Sequence, residues 1–320
     1  MKTILVSGAS GIVGYGILKN LKGNNFNLIG TSIYNNSVAK KYCNLFIQAV
    51  PTKDKNYLSW LNQTIERYSI DLIIPGIEVD LYFWNANRNK INTKVILNNS
   101  ELICLCQDKW NFYQKLESGT IIDYLNIPSM ISTDYNKIVK ELGSPFLLKP
   151  KQGYGSKDIV KIESKSDFLK QMSRSDKQFF SQKYIGSDDE EYTVSFFGDG
   201  NGKSLVNIIL KRKLSSSGYT EQATSTINKN DIIDINNIIN DIAEYFNPIG
   251  PTNIQLRKEG CYFKLLEINP RLSASTAIRT GFNYNECLMA VDFYLNGVLP
   301  IQPKIQSGSC VRYIDEHFTY

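Results

Sequence analysis

The chain has 320 residues, 42% of them hydrophobic and 21% charged, with a formal net charge of +5. That length buries a sizeable core in two or three structural units of ordinary globular composition. The basic residues are scattered with no run of like charge, which argues against nucleic acid or a membrane surface as partner.

The N-terminus runs straight into a strand with no apolar leader ahead of it, and no apolar run reaches the length of a bilayer span. The expected location is the cytoplasm. KTILVSG reads as a strand ending in glycine, and IVGYGILKNLK has helical periodicity. NLIGTSI, NLFIQAV and DLIIPG are further short β-rich runs, with the amphipathic helix YLSWLNQTIERYS before the last, and TKVILN closes the series. Strands alternating with helices predict parallel strands joined by right-handed crossovers, hence a doubly wound α/β unit. Gly76 and Glu78 follow the DLIIP strand at the carboxyl edge, where such sheets bind ligands.

Beyond Asp108-Lys109 the pattern changes. Helices are expected over WNFYQKLES and over YNKIVKELG, the latter stopped by Gly143 and Pro145. PFLLKPKQGYGSKDIVKI reads as strand, glycine-rich turn and strand, followed by the helix KSDFLKQMSR and the strand QFFSQKYI. After the acidic loop GSDDEE comes an antiparallel hairpin turning at DGNGK. SSSGYTEQATSTINKND is polar and expected to be mobile. An amphipathic helix ends near Phe246, GPTNIQLRKEGCYFKLLEINPR forms two strands joined at Lys258-Glu259-Gly260, and helical sequence runs to Leu295.

Six cysteines, at 43, 104, 106, 261, 287 and 310, form no C-x-x-C pair, and the single histidine is His317. Neither a structural zinc site nor a disulfide framework is expected. Cys104 and Cys106 alternate in an apolar stretch and are expected to be small buried hydrophobes.

Gly8, Gly11 and Gly14 space out G-x-x-G-x-x-G in the first strand–helix turn, a pattern shared with dinucleotide-binding sites. Two further requirements of a nicotinamide oxidoreductase are missing. The end of the second strand, IGTSIYNN, has neither an acid for a ribose hydroxyl nor an arginine for a 2′-phosphate. The one Y-x-x-x-K in the chain, Tyr15 to Lys19, lies inside the first helix. The glycines are therefore expected to serve a tight turn and close helix–sheet packing. An anion or part of an acceptor substrate remains open at the helix N-terminus.

The chemistry-bearing residues lie further on. Lys149 ends a strand, and the loop after it carries Gly153, Gly155 and Ser156. Such a loop can fold its N–H groups over a triphosphate while Lys149 supplies charge, helped by Lys151 and Lys157. The strand Gln182-Lys183-Tyr184-Ile185 can read an adenine edge with its backbone. A carboxylate just beyond it can take the ribose hydroxyls: Glu191, with Asp189 and Glu190 as competitors. In KLLEINPR, Glu267 and Asn269 share one strand face because the side-chain period is two. Oxygen ligands so placed suit Mg²⁺ held jointly by protein and nucleotide phosphates. Gln255, on the neighbouring strand, could complete the set, and Arg271 would face a transferring phosphoryl group.

These pieces in this order resemble the ATP-grasp superfamily. The resemblance is to its carboxylate–amine ligase branch, similar to a single synthetase domain of the carbamoyl phosphate synthetase large subunit and to biotin carboxylase. It implies a Rossmann-like pre-ATP-grasp domain over residues 1–105 that holds no dinucleotide. A small lid subdomain over 106–184 and a large subdomain over 185–320 follow, an α/β chain with an α+β grasp part. It further implies ATP contacts from Lys109 of the Asp108-Lys109 pair, from Lys149, from Gly153, Gly155 and Ser156, from Gln182 to Ile185, and from Glu191. Gln255, Glu267 and Asn269 match the ligands for Mg²⁺ (or Mn²⁺). Arg271 matches the arginine of E-I-N-P-R, and Arg212 looks like a further basic residue near the phosphates, with Lys213 as the neighbouring option. Two departures, Leu272-Ser273-Ala274-Ser275 after the arginine and Tyr154 with Lys157 in the lid, fall where the second substrate should sit.

The resemblance implies a reaction in which ATP converts a carboxylate to an acyl phosphate and an amine displaces phosphate. The two small-molecule substrates are not named by the sequence, although a small amino acid or an acidic sugar would serve. The lid, roughly residues 115 to 183, is expected to close over the nucleotide. A kinase-like variant and a nucleotide-binding module of little activity are the alternatives, and a homodimer is the assembly the resemblance leaves open. With room for one synthetase half and no biotinyl-lysine carrier motif, neither complete carbamoyl phosphate synthesis nor biotin carboxylation is expected.

Overall fold

Strand β1 (Lys2–Val6) is apolar on both faces because it lies at the centre of a parallel sheet covered on both sides. In this computed structural model, which describes residues 1–153, 158–173, 178–215, 218–313 and 318, the first sheet has the order β3-β2-β1-β4-β5. Its strands are β1, β2 (Phe26–Ser32), β3 (Leu45–Gln48), β4 (Leu72–Ile74) and β5 (Lys94–Val95), with α1 (Ile12–Leu21) and α2 (Tyr57–Arg67) in the crossovers. The order reverses between β1 and β4, so the crevice of the sheet opens at their carboxyl ends, at Gly8–Gly11 and Gly76–Glu78.

The glycine loop is explained by packing. A Cβ on Gly14 would come within 2.5 Å of the Gly8 carbonyl oxygen and 2.7 Å of the Ala9 Cα, and Gly8 itself has φ +55°. Only glycines let α1 lie this close to the turn that feeds it.

Helix α3 (Glu78–Ala86) was not foreseen. Asp80 and Asn85 are buried beside Leu81 and Trp84, which breaks the apolar spacing a helix normally shows. Asp80 Oδ1 accepts from Thr52 Oγ1 at 2.5 Å and from the Tyr57 hydroxyl at 2.9 Å, tying α3 to α2. Helix α4 (Ser100–Cys106) corrects the expectation for the cysteines: Cys104 is exposed and Cys106 only partly buried.

Helix α5 (Lys109–Glu117), capped by Asp108, leads to a four-stranded antiparallel sheet, β6-β9-β7-β8. It comprises β6 (Ser129–Met130), β7 (Phe146–Pro150), β8 (Val160–Ile162) and β9 (Phe179–Lys183), with α6 (Tyr135–Leu142) and α7 (Lys165–Ser173). Tyr154, Gly155, Ser156 and Lys157 lie outside the described residues, as does His317.

The third sheet has the order β14-β13-β10-β11-β12-β15. Its hairpin is β10 (Glu191–Asp199) and β11 (Ser204–Leu214), followed by β12 (Thr220–Thr224), α8 (Lys229–Phe246), β13 (Ile249–Glu259) and β14 (Tyr262–Asn269). The chain closes with α9 (Thr276–Gly281), α10 (Glu286–Asn296) and β15 (Ser309–Val311). Residues 220–224, expected in a mobile segment, pair with β11 and β15 instead. Their polar sequence hid a strand held by its neighbours.

Each face of this sheet has its own role. Tyr192, Val194, Phe196, Ile254, Leu256 and Ile268 point to one side and pack on Ile235, Ile239 and Ile242 of α8. Such side chains contribute about 1.5–3 kcal/mol each when fully buried. The opposite face is polar, and the core around Leu272, Ile278, Tyr284 and Val291 joins it to Val13 and Ile17 of α1. The N-terminal sheet is thereby fixed against the polar face. Among the described residues no helix is long and apolar enough to cross a membrane.

Candidate active site

Period-two geometry builds the site. Cross-strand register places Thr193 opposite Gln255 and Gln255 opposite Glu267, while Ser195, Asn253 and Asn269 form the next row. The polar residues of β10, β13 and β14 therefore share one face. That face floors a cleft of about 620 Å³, walled by Gly11–Val13 and Gly76–Tyr82 on one side and by Lys109, Tyr113 and Gly153 on another.

Gln255, Glu267 and Asn269 come together as expected. Gln255 Nε2 donates to Glu267 Oε1 at 2.5 Å, and Asn269 Nδ2 donates to the same oxygen at 2.7 Å. One carboxylate with two amides is a hard oxygen donor set once the amides turn their carbonyls inward. It fits Mg²⁺, which takes few protein ligands and shares the rest with phosphates. Among the described residues no cluster of three His, Cys, Asp or Glu side chains offers another metal site.

Arg271 donates to the Asn269 Oδ1 at 3.3 Å, to the Leu272 carbonyl at 2.9 Å and to Glu78 Oε1 across the cleft. Burial alone would raise the Glu78 carboxyl, but Arg271, a backbone N–H and Lys109 together hold it below the usual carboxylate range. Arg212 is buried, its Nε and Nη2 donating to Glu191 Oε1 at 3.1 and 2.6 Å, while Arg257 donates to Glu191 Oε2 at 2.6 Å. Both oxygens of Glu191 are thus held by arginines. Of its competitors, Glu190 accepts from Lys211 at 2.6 Å, and Asp189 lies exposed on the preceding turn.

Lys109 stands at the first turn of α5, its amide donating to the Lys151 carbonyl at 2.7 Å and its ammonium to the Gly153 carbonyl. Gln182 is buried and donates to Ser129 Oγ at 2.9 Å. Ile185 belongs to the core of the large sheet, the Lys161 ammonium lies 5.1 Å from the Tyr184 ring centroid, and Lys183 N donates to Pro128 O at 2.9 Å. Gln182 and Lys183 also pair with Leu147 and Phe146 of β7, and the Lys183 ammonium lies 3.9 Å from Glu259. Gly155 and Ser156 lie outside the described residues.

Lys149 is 6% exposed, its ammonium 5.7 Å from the Tyr113 ring centroid. Burial pushes its ammonium down to about 8, against the pull of Glu267 and helped by the push of Lys109. The ordinary value is 10.5. Between those two values the unfolded chain keeps a proton that the folded chain has released, so this lysine makes stability rise with pH there. Below that window its penalty is constant. Lys149→Met is accordingly expected to stabilise the fold at neutral pH by about 1–3 kcal/mol, and by less near pH 10. Thermal melts of both proteins at the two pH values check this, and a variant that melts lower at neutral pH contradicts it.

Sequence reasoning missed the buried network under the floor. Arg279 is 0% exposed, and its Nη1 donates to both oxygens of Glu286, at 2.9 and 3.1 Å, and to Ser273 Oγ at 2.9 Å. Its Nη2 donates to Thr193 Oγ1 at 3.0 Å and to Asn253 Oδ1. The available signal was a charged residue on the apolar face of a short helix, next to Ile278.

Comparison with known proteins agrees with this geometry. The family described as ATP-grasp in the biosynthetic pathway with Ter operon matches residues 182–317. No curated protein sequence matches the chain significantly. Among solved structures, N5-carboxyaminoimidazole synthetase from Staphylococcus aureus, complexed with ADP, superposes with TM-score 0.75 at 18% identity, covering 94% of this chain and 79% of that one. Biotin carboxylase from Campylobacter jejuni, in complex with a βγ-ATP ligand, gives 0.73 at 18% identity over 96% and 74%. The biotin carboxylase domain dimer of Hydrogenobacter thermophilus 2-oxoglutarate carboxylase, with MgADP and bicarbonate, gives 0.72 at 15% over 96% and 73%. The chain has the ATP-grasp fold along nearly its whole length, and its residues 182–317 are similar to that ATP-grasp family.

Proposed function

We propose that the chain is an ATP- and Mg²⁺-dependent, ADP-forming carbon–nitrogen ligase. One observation carries the reading: Glu267, flanked by the amides of Gln255 and Asn269, shares one cleft with Lys109 and Arg271 and lies close to the buried Lys149. The ADP and MgADP in the solved relatives support it. On this reading residues 106–184 act as the lid, and 1–105 and 185–320 hold the substrates between them.

A substrate carboxylate oxygen attacks the γ-phosphorus of ATP, the bond to the bridging oxygen breaks, and ADP leaves. An amine nitrogen then attacks the acyl carbon, phosphate departs with the bonding pair, and the amine proton passes to solvent. Lys109 and Lys149 hold the triphosphate, and Arg271 meets the charge on the transferring group. Glu267, with the carbonyls of Gln255 and Asn269, would hold Mg²⁺, which would supply positive charge to offset that of the phosphates. The closed cleft keeps water from the acyl phosphate.

Incubation with Mg·ATP and pooled carboxylates and amines tests the reading by its products. ADP with free phosphate supports ligation. ADP without free phosphate indicates a kinase-like reaction instead, and neither product indicates a nucleotide-binding module.

A further inference from the structure

Tyr113 is buried at the second turn of α5, and the reaction described above makes no use of it. Its hydroxyl meets an irregularity in β14. Gln255 pairs with Glu267 and Leu256 with Leu265, so Leu266 is an extra residue opposite no residue of β13. A bulge of this kind breaks the regular ladder and re-aims the side chain beside it. Here that side chain is Glu267. The Tyr113 hydroxyl donates to the Leu266 carbonyl at 2.6 Å, which pins the bulge from α5.

The ring of the same side chain serves the lid sheet. The Lys149 ammonium of β7 lies 5.7 Å from its centroid, and Phe180 of β9 packs against it at 5.9 Å. The Gln182 side chain, also on β9, bears on the hydroxyl. An aromatic face attracts a cation most where water is excluded, and Lys149 is buried. Lys109 and Tyr113 stand four residues apart, hence on one face of α5, and both line the cleft. Tyr113 therefore reaches the strand of the metal carboxylate through its oxygen and the phosphate lysine through its ring. Phenylalanine would serve the ring contacts alone.

We infer that Tyr113 is a positioning residue that aims Glu267 at the metal through the Leu266 bulge and holds Lys149 for the phosphates through its ring. This rests on the ligase reading and adds to it a residue that acts through two others. The two roles separate chemically, because one needs the oxygen and the other the ring.

Two variants of the full chain test this, read by calorimetric titration with ADP and with Mg²⁺. Tyr113→Phe keeps the ring, so metal-free ADP should bind within about twofold of the parent. The Mg²⁺ concentration that half-saturates its ADP-bound form is expected to rise about tenfold or more. Tyr113→Met removes the ring and fills much of its space with an adaptable chain. Metal-free ADP should bind that variant about fivefold more weakly. An unshifted Mg²⁺ midpoint in Tyr113→Phe overturns the inference, whatever happens to its melting temperature, and so does loss of folding in that variant. Unchanged ADP binding by Tyr113→Met overturns it as well. Absence of Mg·ADP binding by the parent defeats the ligase reading and this inference with it. A parent that binds normally beside variants that do the same defeats only the role of Tyr113.

Discussion

Glu267→Gln is expected to reduce ADP formation by on the order of 10²–10³ while leaving the melting temperature nearly unchanged. Glutamine keeps the shape of the side chain and an oxygen for Gln255 Nε2 and Asn269 Nδ2, which now donate at 2.5 and 2.7 Å. What it removes is the negative charge. Hard divalent cations depend on that charge, and the amides of Gln255 and Asn269 cannot replace it. Two readouts should therefore move together: turnover falls, and the Mg²⁺ concentration giving half-maximal rate rises. A variant with ordinary turnover and an unchanged Mg²⁺ midpoint would remove Glu267 from the metal site. A fall in turnover together with unfolding would make it a structural residue.

Glu286→Ala is expected to cost about 3–5 kcal/mol of stability, a drop in melting temperature on the order of 10 °C. The reason is the charge left behind. Arg279 is fully buried and Glu286 is 1% exposed, so deleting the acid strands a guanidinium where water cannot reach it. Replacing both partners, Arg279→Met with Glu286→Leu, should recover much of the loss, because no buried charge then remains. Turnover should stay low in that double variant, since Thr193, Asn253 and Ser273 lose the donor that fixes them under the cleft. Melting curves of the two single variants and the double variant check this. A single variant that melts like the parent would contradict it.

The parts of the fold legible in the sequence are those where local pattern and tertiary context agree. The alternating first hundred residues, the DGNGK hairpin and the two strands ending in EINPR all formed where expected, because turn residues and side-chain period point the same way. Helix α3 escaped notice because Asp80, a buried acid served by Thr52 and Tyr57, stands where an apolar residue would mark the helix. Strand β12 escaped because its pairing comes from β11 and β15, distant in sequence and invisible to periodicity. Cys104 and Cys106 were misjudged from their apolar neighbours: both were expected to be buried, and helix α4 turns Cys104 to the surface.

The site was legible to the same degree. Glu267 and Asn269 were placed by strand period alone, and Gln255 needed a register that only the folded sheet supplies. The partners that charge the site came from further away. Glu78 reaches Arg271 across 193 positions, and Arg212 and Arg257 flank Glu191 from two neighbouring strands. Polar residues at every second position of β13, Asn253, Gln255 and Arg257, were the readable sign that one sheet face does chemistry. The glycine loop drew attention for a reason that packing explains, as Gly14 has no room for a Cβ.

The most direct test is a calorimetric titration of the chain with Mg·ADP near pH 8, repeated with Lys149→Met. The account predicts a single nucleotide site in the parent, with proton uptake as the phosphates restore the charge on a lysine that titrates at about 8. The variant should bind at least about tenfold more weakly, without that uptake. No binding by the parent, or equal binding and equal proton uptake by the variant, would contradict the placement of the nucleotide beside Lys149 and Glu267.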